Sequence, residues 1–210
     1  MAFASRCPGV LILASRTKSK LEEVASQISS SHPDVNVKLV SLDLSSQESV
    51  RRAAAEISNA VDKLDILVNN AGVVVPSRQW TPEKIELQFG TNHVGPFLLT
   101  NLLLPPLLAG ARAPRRRPGS TRIVNVSSHG HRLSPIRFHD WNFEGLAIPL
   151  EEEPFAPRAS AFGRATDDGY PGMIAYGQSK TANILFTVYL REALRSHGIA
   201  SYCLHPGGEL

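Results

Sequence analysis

Cysteine is nearly absent: only Cys7 and Cys203 stand in 210 residues. Two thiols cannot build a disulfide framework, and neither has a His or Asp at metal-ligand spacing, so no metal site is expected and the chain reads as one for a reducing, cytoplasmic compartment. Long hydrophobic runs are missing too. The longest apolar region, Pro96 to Leu108, is broken by Asn101 and the Pro105-Pro106 pair and falls short of the ~18 residues a membrane span needs. The run Val10 to Ala14, behind Arg6 and Pro8, is too short for the apolar part of a signal peptide. A strong excess of one charge is likewise lacking, with Lys and Arg at 22, Asp and Glu at 19, and a net charge of +3. That balance gives no footing for nucleic-acid binding, and the basic stretch Arg112 to Arg117 reads as a solvated loop. No internal repeat is visible. The glycosylation-type tripeptide Asn125-Val126-Ser127 falls in an expected buried strand, where it would not act as an acceptor.

What is present is the make-up of an ordinary globular domain, 42% hydrophobic and 20% charged, at a length suited to one core. The short apolar run Val10 to Ala14, closed by Ser15-Arg16-Thr17, predicts a strand buried on both faces. Leu21, Val24 and Ile28 recur at helical spacing before the breaker cluster Ser29 to Asp34. Val35, Val37 and Leu39 alternate in a second strand that ends at Ser41-Leu42-Asp43. Ser45 and Glu48 suggest a capping box for a helix with Val50, Ala54, Ile57 and Val61 on its apolar face.

A third strand, Leu64 to Val68, runs into Asn69-Asn70-Ala71-Gly72. A long helix is expected from Thr81, with Pro82 in its first turn, to the Pro105-Pro106 stop. Arg122 to Ser127 reads as a fourth strand, and a helix is expected over Ala175 to Ser196. Ala200 to His205 reads as a fifth strand before Pro206-Gly207. The stretch Ser134 to Gly172 is too long for a plain connection, and its Glu151-Glu152-Glu153 run is expected to be solvated. Strand and helix in repeated alternation predict an α/β fold, a parallel sheet with helices on both faces and ligands beyond the carboxyl ends of its strands.

The chemistry concentrates at those ends. Tyr176 and Lys180 are one helical turn apart and share a face. A phenol is a poor base near neutrality unless a nearby ammonium stabilises its phenolate. Ser127-Ser128 offers a hydroxyl that could hold a carbonyl, and Asn92 an amide that could hold a water or a lysine.

Asn92, Ser128, Tyr176 and Lys180, with Asn69-Asn70-Ala71-Gly72 upstream, resemble in order and position the short-chain dehydrogenase/reductase family, from Val10 to Gly207. The resemblance is strongest to retinol-dehydrogenase-like members, fungal ones included. It is carried by Thr91-Asn92-His93-Val94-Gly95-Pro96-Phe97-Leu98-Leu99-Thr100, Ile123-Val124-Asn125-Val126-Ser127-Ser128 and Tyr176-Gly177-Gln178-Ser179-Lys180-Thr181-Ala182-Asn183-Ile184-Leu185.

The resemblance implies one Rossmann-like doubly wound domain over residues 1–210. It also implies an oxidoreductase that interconverts an alcohol and a carbonyl on a lipophilic or secondary-metabolite-like small molecule. Tyr176 would be the general acid or base, and Ser128 would hold the substrate oxygen. Lys180 would tune the tyrosine and bind the nicotinamide ribose, and Asn92 would order a relay water. Asp43, Leu44, Asn69, Ala71 and Gly72 would line the adenine and ribose side of the cofactor cleft. Pro206 and Gly207 would flank the nicotinamide. Arg16, directly after the first strand, favours the extra phosphate of NADP. Pairing into a homo-oligomer through the helices of Asn92 and Tyr176 is a further implication.

The family's opening strand with its Thr-Gly-x-x-x-Gly-x-Gly turn and its last strand have no counterpart in these residues, so the fold is expected to be incomplete, truncated at both ends. Two other readings follow: an inactive or partner-binding remnant, and an anionic-surface role for Arg115-Arg116-Arg117.

Overall fold

The computed structural model describes residues 1–114, 117–155 and 169–207. Arg115 and Arg116 of the basic cluster, and the last three residues, lie outside them. Five strands alternate with helices: β1 (Val10–Ser15), α1 (Lys18–Ser31), β2 (Asn36–Ser41), α2 (Gln47–Ala60) and β3 (Ile66–Asn69). The short α3 (Leu87–Phe89) runs into a π-helical turn (Gly90–Val94), followed by α4 (Gly95–Leu102), α5 (Leu104–Arg112) and β4 (Thr121–Val126). The long α6 (Gly172–Leu194) and β5 (Ile199–Leu204) complete the order.

All strand pairs are parallel, as the α/β pattern requires, but they form two sheets rather than one. β1 pairs with β2, and β3, β4 and β5 pair in that order. No ladder joins β1 to β3. One apolar core nevertheless spans both sheets, because α2 packs on β2 and on α4. Val40 of β2 with Leu42 just past its end, Val50, Ala54 and Ile57 from α2, and Leu99, Leu103, Leu107, Ile123, Phe186 and Leu190 share that cluster. Each fully buried aliphatic side chain contributes about 1.5–3 kcal/mol, and the cluster is therefore what ties the two sheets together. On the opposite face of the three-stranded sheet, Ile66, Val68, Tyr202 and Leu204 are exposed.

Several sequence expectations shift. The helix expected from Thr81 begins at Leu87, because Trp80 and Glu86 form an antiparallel bridge and Lys84 takes a left-handed φ of 61° between them. The Pro105-Pro106 pair does not stop a helix. It sits in the first turn of α5, where proline's missing N–H costs nothing, and the break falls at Leu103. Ser46, not Ser45, caps α2 by accepting from the Ser49 amide at 3.2 Å. Ser45 instead donates to Asp43 at 2.7 Å. Glu152 is not solvated: it is 7% exposed and its carboxylate meets His139 Nδ1 at 2.8 Å. Burial pushes its pKa up, but the hydrogen bonds and charge of His139, with Arg137, outweigh it and leave the pKa below the ordinary carboxylate value. No single helix among the described residues is long and apolar enough to cross a membrane.

Candidate active site

The site forms where the carboxyl ends of β3 and β4 meet α6 and the π-helical turn. A π turn inserts an extra residue into a helical ladder and re-aims the side chains around it. Here it drives Asn92, 1% exposed, against the loop after β3. Asn92 Oδ1 accepts from the Val73 amide at 2.7 Å, and its Nδ2 donates to the Val73 carbonyl at 3.0 Å and to Ser179 Oγ at 3.0 Å. Ser179 Oγ donates in turn to the Tyr176 carbonyl at 2.7 Å. Asn92 thus links the β3 loop to α6 directly, and one lone pair on its amide oxygen is left over.

Lys180 is 4% exposed, and its ammonium donates to the Val126 carbonyl at 3.0 Å at the end of β4. Ser127 Oγ donates to the Lys180 carbonyl at 2.9 Å, so the same strand end holds both the backbone and the side chain of this residue. Burial lowers the Lys180 pKa, because the charged form is separated from water. The ammonium lies 5.5 Å from the centroid of the Tyr176 ring. Tyr176 is half-buried, and its ring packs on Gly130, where a Cβ would sit 2.9 Å from two ring carbons. Gly130 also donates its amide to Ser128 Oγ at 3.1 Å, which brings Ser128 to the tyrosine's side of the site. A glycine is required there because any side chain would displace the ring.

Gly72 faces the same point. A Cβ built on it would sit 3.1 Å from Asn92 Oδ1 and 3.4 Å from Lys180 Nζ. The missing side chain leaves a cradle rimmed by a buried ammonium and an amide oxygen. Only one of the three ammonium donors has a partner among the described residues, and this donor set fits a polyhydroxylated ribose. Among the described residues, no group of three or more His, Cys, Asp or Glu could hold a metal ion.

The remaining cofactor candidates are less concentrated. Ala71, Pro206 and Gly207 are exposed at strand ends, Gly207 with a φ of 83°. The Asn69 side chain is directed inward: its amide donates to Thr100 Oγ1 at 3.0 Å and to Asn125 Oδ1 at 2.8 Å, joining β3, β4 and α4. Asp43 Oδ1 accepts from the amide and hydroxyl of Ser45, and the Asp43 amide donates to Ser49 Oγ. Leu44 lies under the first turn of α4, where its carbonyl leaves room for nothing larger than Gly95. Arg16 is exposed at the end of β1, in the other sheet.

Sequence reading missed Ser179, the Val126 carbonyl and Gly130, all of which orient the four polar residues. Ser179 stands inside the quoted Tyr176–Lys180 motif, but its role depends on a contact with Asn92 that no local spacing reveals.

Residues 3–138 match the pattern of the family described as short chain dehydrogenase. The chain is 37% identical over 210 residues to the oxidoreductase fscI of Fusarium equiseti, an alignment covering 99% of this chain and 80% of that protein. It is 36% identical over 203 residues to human retinol dehydrogenase 13, covering 97% of this chain but 52% of that protein. The chain thus spans about half the length of the retinol dehydrogenases it matches. Among solved structures, an uncharacterized protein from Mycobacterium paratuberculosis superposes with a TM-score of 0.66 at 32% identity, over 93% of this chain and 58% of that one. NADPH-bound carbonyl reductase from chicken fatty liver superposes with a TM-score of 0.65 at 23% identity, over 99% and 77%, a likeness of fold.

Proposed function

The chain belongs to the short chain dehydrogenase family of oxidoreductases, and we propose that it is an NADP(H)-dependent member that interconverts an alcohol and a carbonyl on a lipophilic small molecule. The observation that carries this reading is the meeting of Asn92, Lys180 and Gly72 at one point, with Tyr176 and Ser128 beside it. Residues 1–210 act as one domain in this reading.

Ser128 Oγ already accepts the Gly130 amide, so its own proton is free to point at a substrate carbonyl oxygen. The Tyr176 hydroxyl supplies the proton that this oxygen takes up on reduction and receives it back on oxidation. Lys180 holds the ribose of a nicotinamide cofactor through its spare donors, and its charge favours the phenolate. When bound, the nicotinamide supplies or accepts the hydride. Asn92 keeps the β3 loop and α6 in register and offers its remaining lone pair to a relay water. Gly72 and Ala71 leave room for the cofactor's sugar, with the backbone of Asn69 and the Asp43-Leu44 pair toward the adenine and Pro206-Gly207 toward the nicotinamide. Arg16 is the candidate contact to the 2′-phosphate of NADP, as a guanidinium suits a phosphate.

The retinol dehydrogenases among the relatives support a lipophilic substrate. Pairing of two copies through α4 and α6, whose Phe97, Leu185, Val188 and Tyr189 are exposed, is part of the same proposal.

The test is NADPH consumption against a panel of aldehydes and ketones, with Tyr176→Phe as control. Turnover that disappears in the variant, with cofactor binding retained, supports the proposal. Cofactor binding without turnover on any carbonyl or alcohol contradicts it and favours the inactive-remnant reading.

A further inference from the structure

Away from the reacting groups, the molecule buries a carboxylate that the chemistry above does not use. Glu86 is 0% exposed, as are Tyr170 and Gln88. The Tyr170 hydroxyl donates to Glu86 Oε1 at 2.6 Å, and the carboxylate also accepts the backbone amides of Gln88 at 2.8 Å and Phe89 at 2.7 Å. Gln88 Nε2 donates to Tyr170 Oη at 2.6 Å and to the Gly172 carbonyl at 2.8 Å, while its Oε1 accepts the Val75 amide at 3.2 Å. Arg78 lies over the Tyr170 ring, 5.7 Å from its centroid, and donates to the Phe143 carbonyl. The Glu86 amide donates to Asn142 Oδ1 at 2.9 Å.

We propose that the Glu86–Tyr170–Gln88 cluster is a positioning device that sets Tyr176 against Asn92. Its placement carries the inference. Glu86 stands six residues before Asn92, at the N-cap of the helix leading into the π turn, and Tyr170 stands six residues before Tyr176, at the entry to α6. The two chain segments that present these groups are therefore fastened to each other just upstream of both. Gln88 adds the loop of Val73 to Val75, which Asn92 itself grips.

A buried carboxylate is a poor source of stability compared with apolar residues of the same volume. What it supplies is direction: three donors converge on fixed lone pairs, and apolar packing fixes no such register. Gly172 makes the approach close, since a Cβ there would meet the Val75 carbonyl at 2.6 Å.

The two ends of the α6 site face are held differently. Lys180 is anchored to β4 through Val126 and Ser127, whereas the first turn of α6, where Ile174 and Ala175 donate to the Pro171 carbonyl at 2.9 and 3.0 Å, is anchored by the cluster. Loosening the cluster moves the tyrosine and leaves the lysine in place.

This inference rests on the proposed oxidoreductase reading for its kinetic part only. The experiment compares the full chain with Tyr170→Phe and Glu86→Gln by amide hydrogen exchange, NADPH binding and, where the parent turns over, steady-state kinetics. Tyr170→Phe removes only a hydroxyl and so guards against a Glu86→Gln protein that does not fold. The expected result is exchange at least tenfold faster at Ile174, Ala175 and Tyr176, unchanged exchange at Lys180 to Ile184, NADPH affinity within about twofold, and kcat lowered about tenfold at unchanged KM. Unchanged exchange in the first turn overturns the proposal, as does uniform loosening through Lys180 with kcat and NADPH affinity falling together. If the parent has no turnover, the function reading fails while the exchange experiment still decides this one.

Discussion

The two sheets of this molecule hold their polar residues in different ways. At the ends of β3 and β4, Asn92, Ser127, Ser179 and Lys180 are buried, and each side chain is fixed by hydrogen bonds to another element. At the ends of β1 and β2, Arg16 is exposed, and Asp43 is bonded, among the described residues, to nearby serines two to six positions further along the chain, in its own loop and the first turn of α2. Groups that must meet a reacting atom need the first arrangement, because small displacements there are costly. A group that selects between two cofactors by one phosphate can work from the surface. In the proposed reading, the difference teaches that the chemistry would be built into the packing of this chain, whereas nucleotide preference would be placed where it can change without disturbing the core.

Substitutions sharpen that contrast from the most to the least damaging. Lys180→Ala removes the ammonium that tunes the Tyr176 proton donor and binds the ribose, and is expected to lower turnover by up to the roughly 10²–10⁴ that acid–base function supplies, with a matching loss of NADPH affinity in a titration. Asn92→Ala strands the Val73 amide and carbonyl and is expected to cost about 1–3 kcal/mol in urea unfolding, besides its effect on activity. Arg16→Glu is expected to leave stability within ~0.5 kcal/mol, as surface changes do. It should nevertheless shift the NADPH-to-NADH affinity ratio about tenfold or more toward NADH, a difference of ~1.4 kcal/mol. An Arg16 variant that loses measurable stability, or an Asn92 variant that loses none, would break the comparison.

The smallest effect concerns pH. Burial raises the Glu86 carboxyl above its ordinary value of 4.5, against the pull of its hydrogen bonds and Arg78. A carboxyl with a raised folded pKa contributes stability that is complete below the unfolded value and lost as pH rises through the folded value. Thermal unfolding of Glu86→Gln, set against the parent, should therefore shift in the variant's favour between pH 4 and pH 7. A difference that is flat or runs the other way contradicts the burial assigned to this group.

Much of this was legible in the sequence, for identifiable reasons. Short apolar or alternating stretches closed by polar turns located all five strands among the described residues, although β1 and β3 are only partly covered rather than buried on both faces. That Tyr176 and Lys180 lie close together was legible from helical spacing, while their chemical roles came only with the resemblance carried by Asn92 and Ser128 as well. The pairing order β3, β4, β5 was not legible, since hydrogen-bonded pairing is a tertiary property. Nor was the start of the helix before Asn92, where a local bridge at Trp80 and Glu86 overrides the Thr81-Pro82 signal. The Glu86–Tyr170 contact joins residues 84 apart in the chain, and no motif connects them.

The most direct test of the central claim is NADPH oxidation by the purified chain with a panel of lipophilic ketones and aldehydes, run beside Tyr176→Phe of equal thermal stability and equal NADPH affinity. Substrate-dependent oxidation by the parent that falls to background in the variant is the predicted result. Equal rates in the two proteins, or NADPH binding with no oxidation on any substrate, would contradict the assignment of Tyr176 as the proton donor of an oxidoreductase.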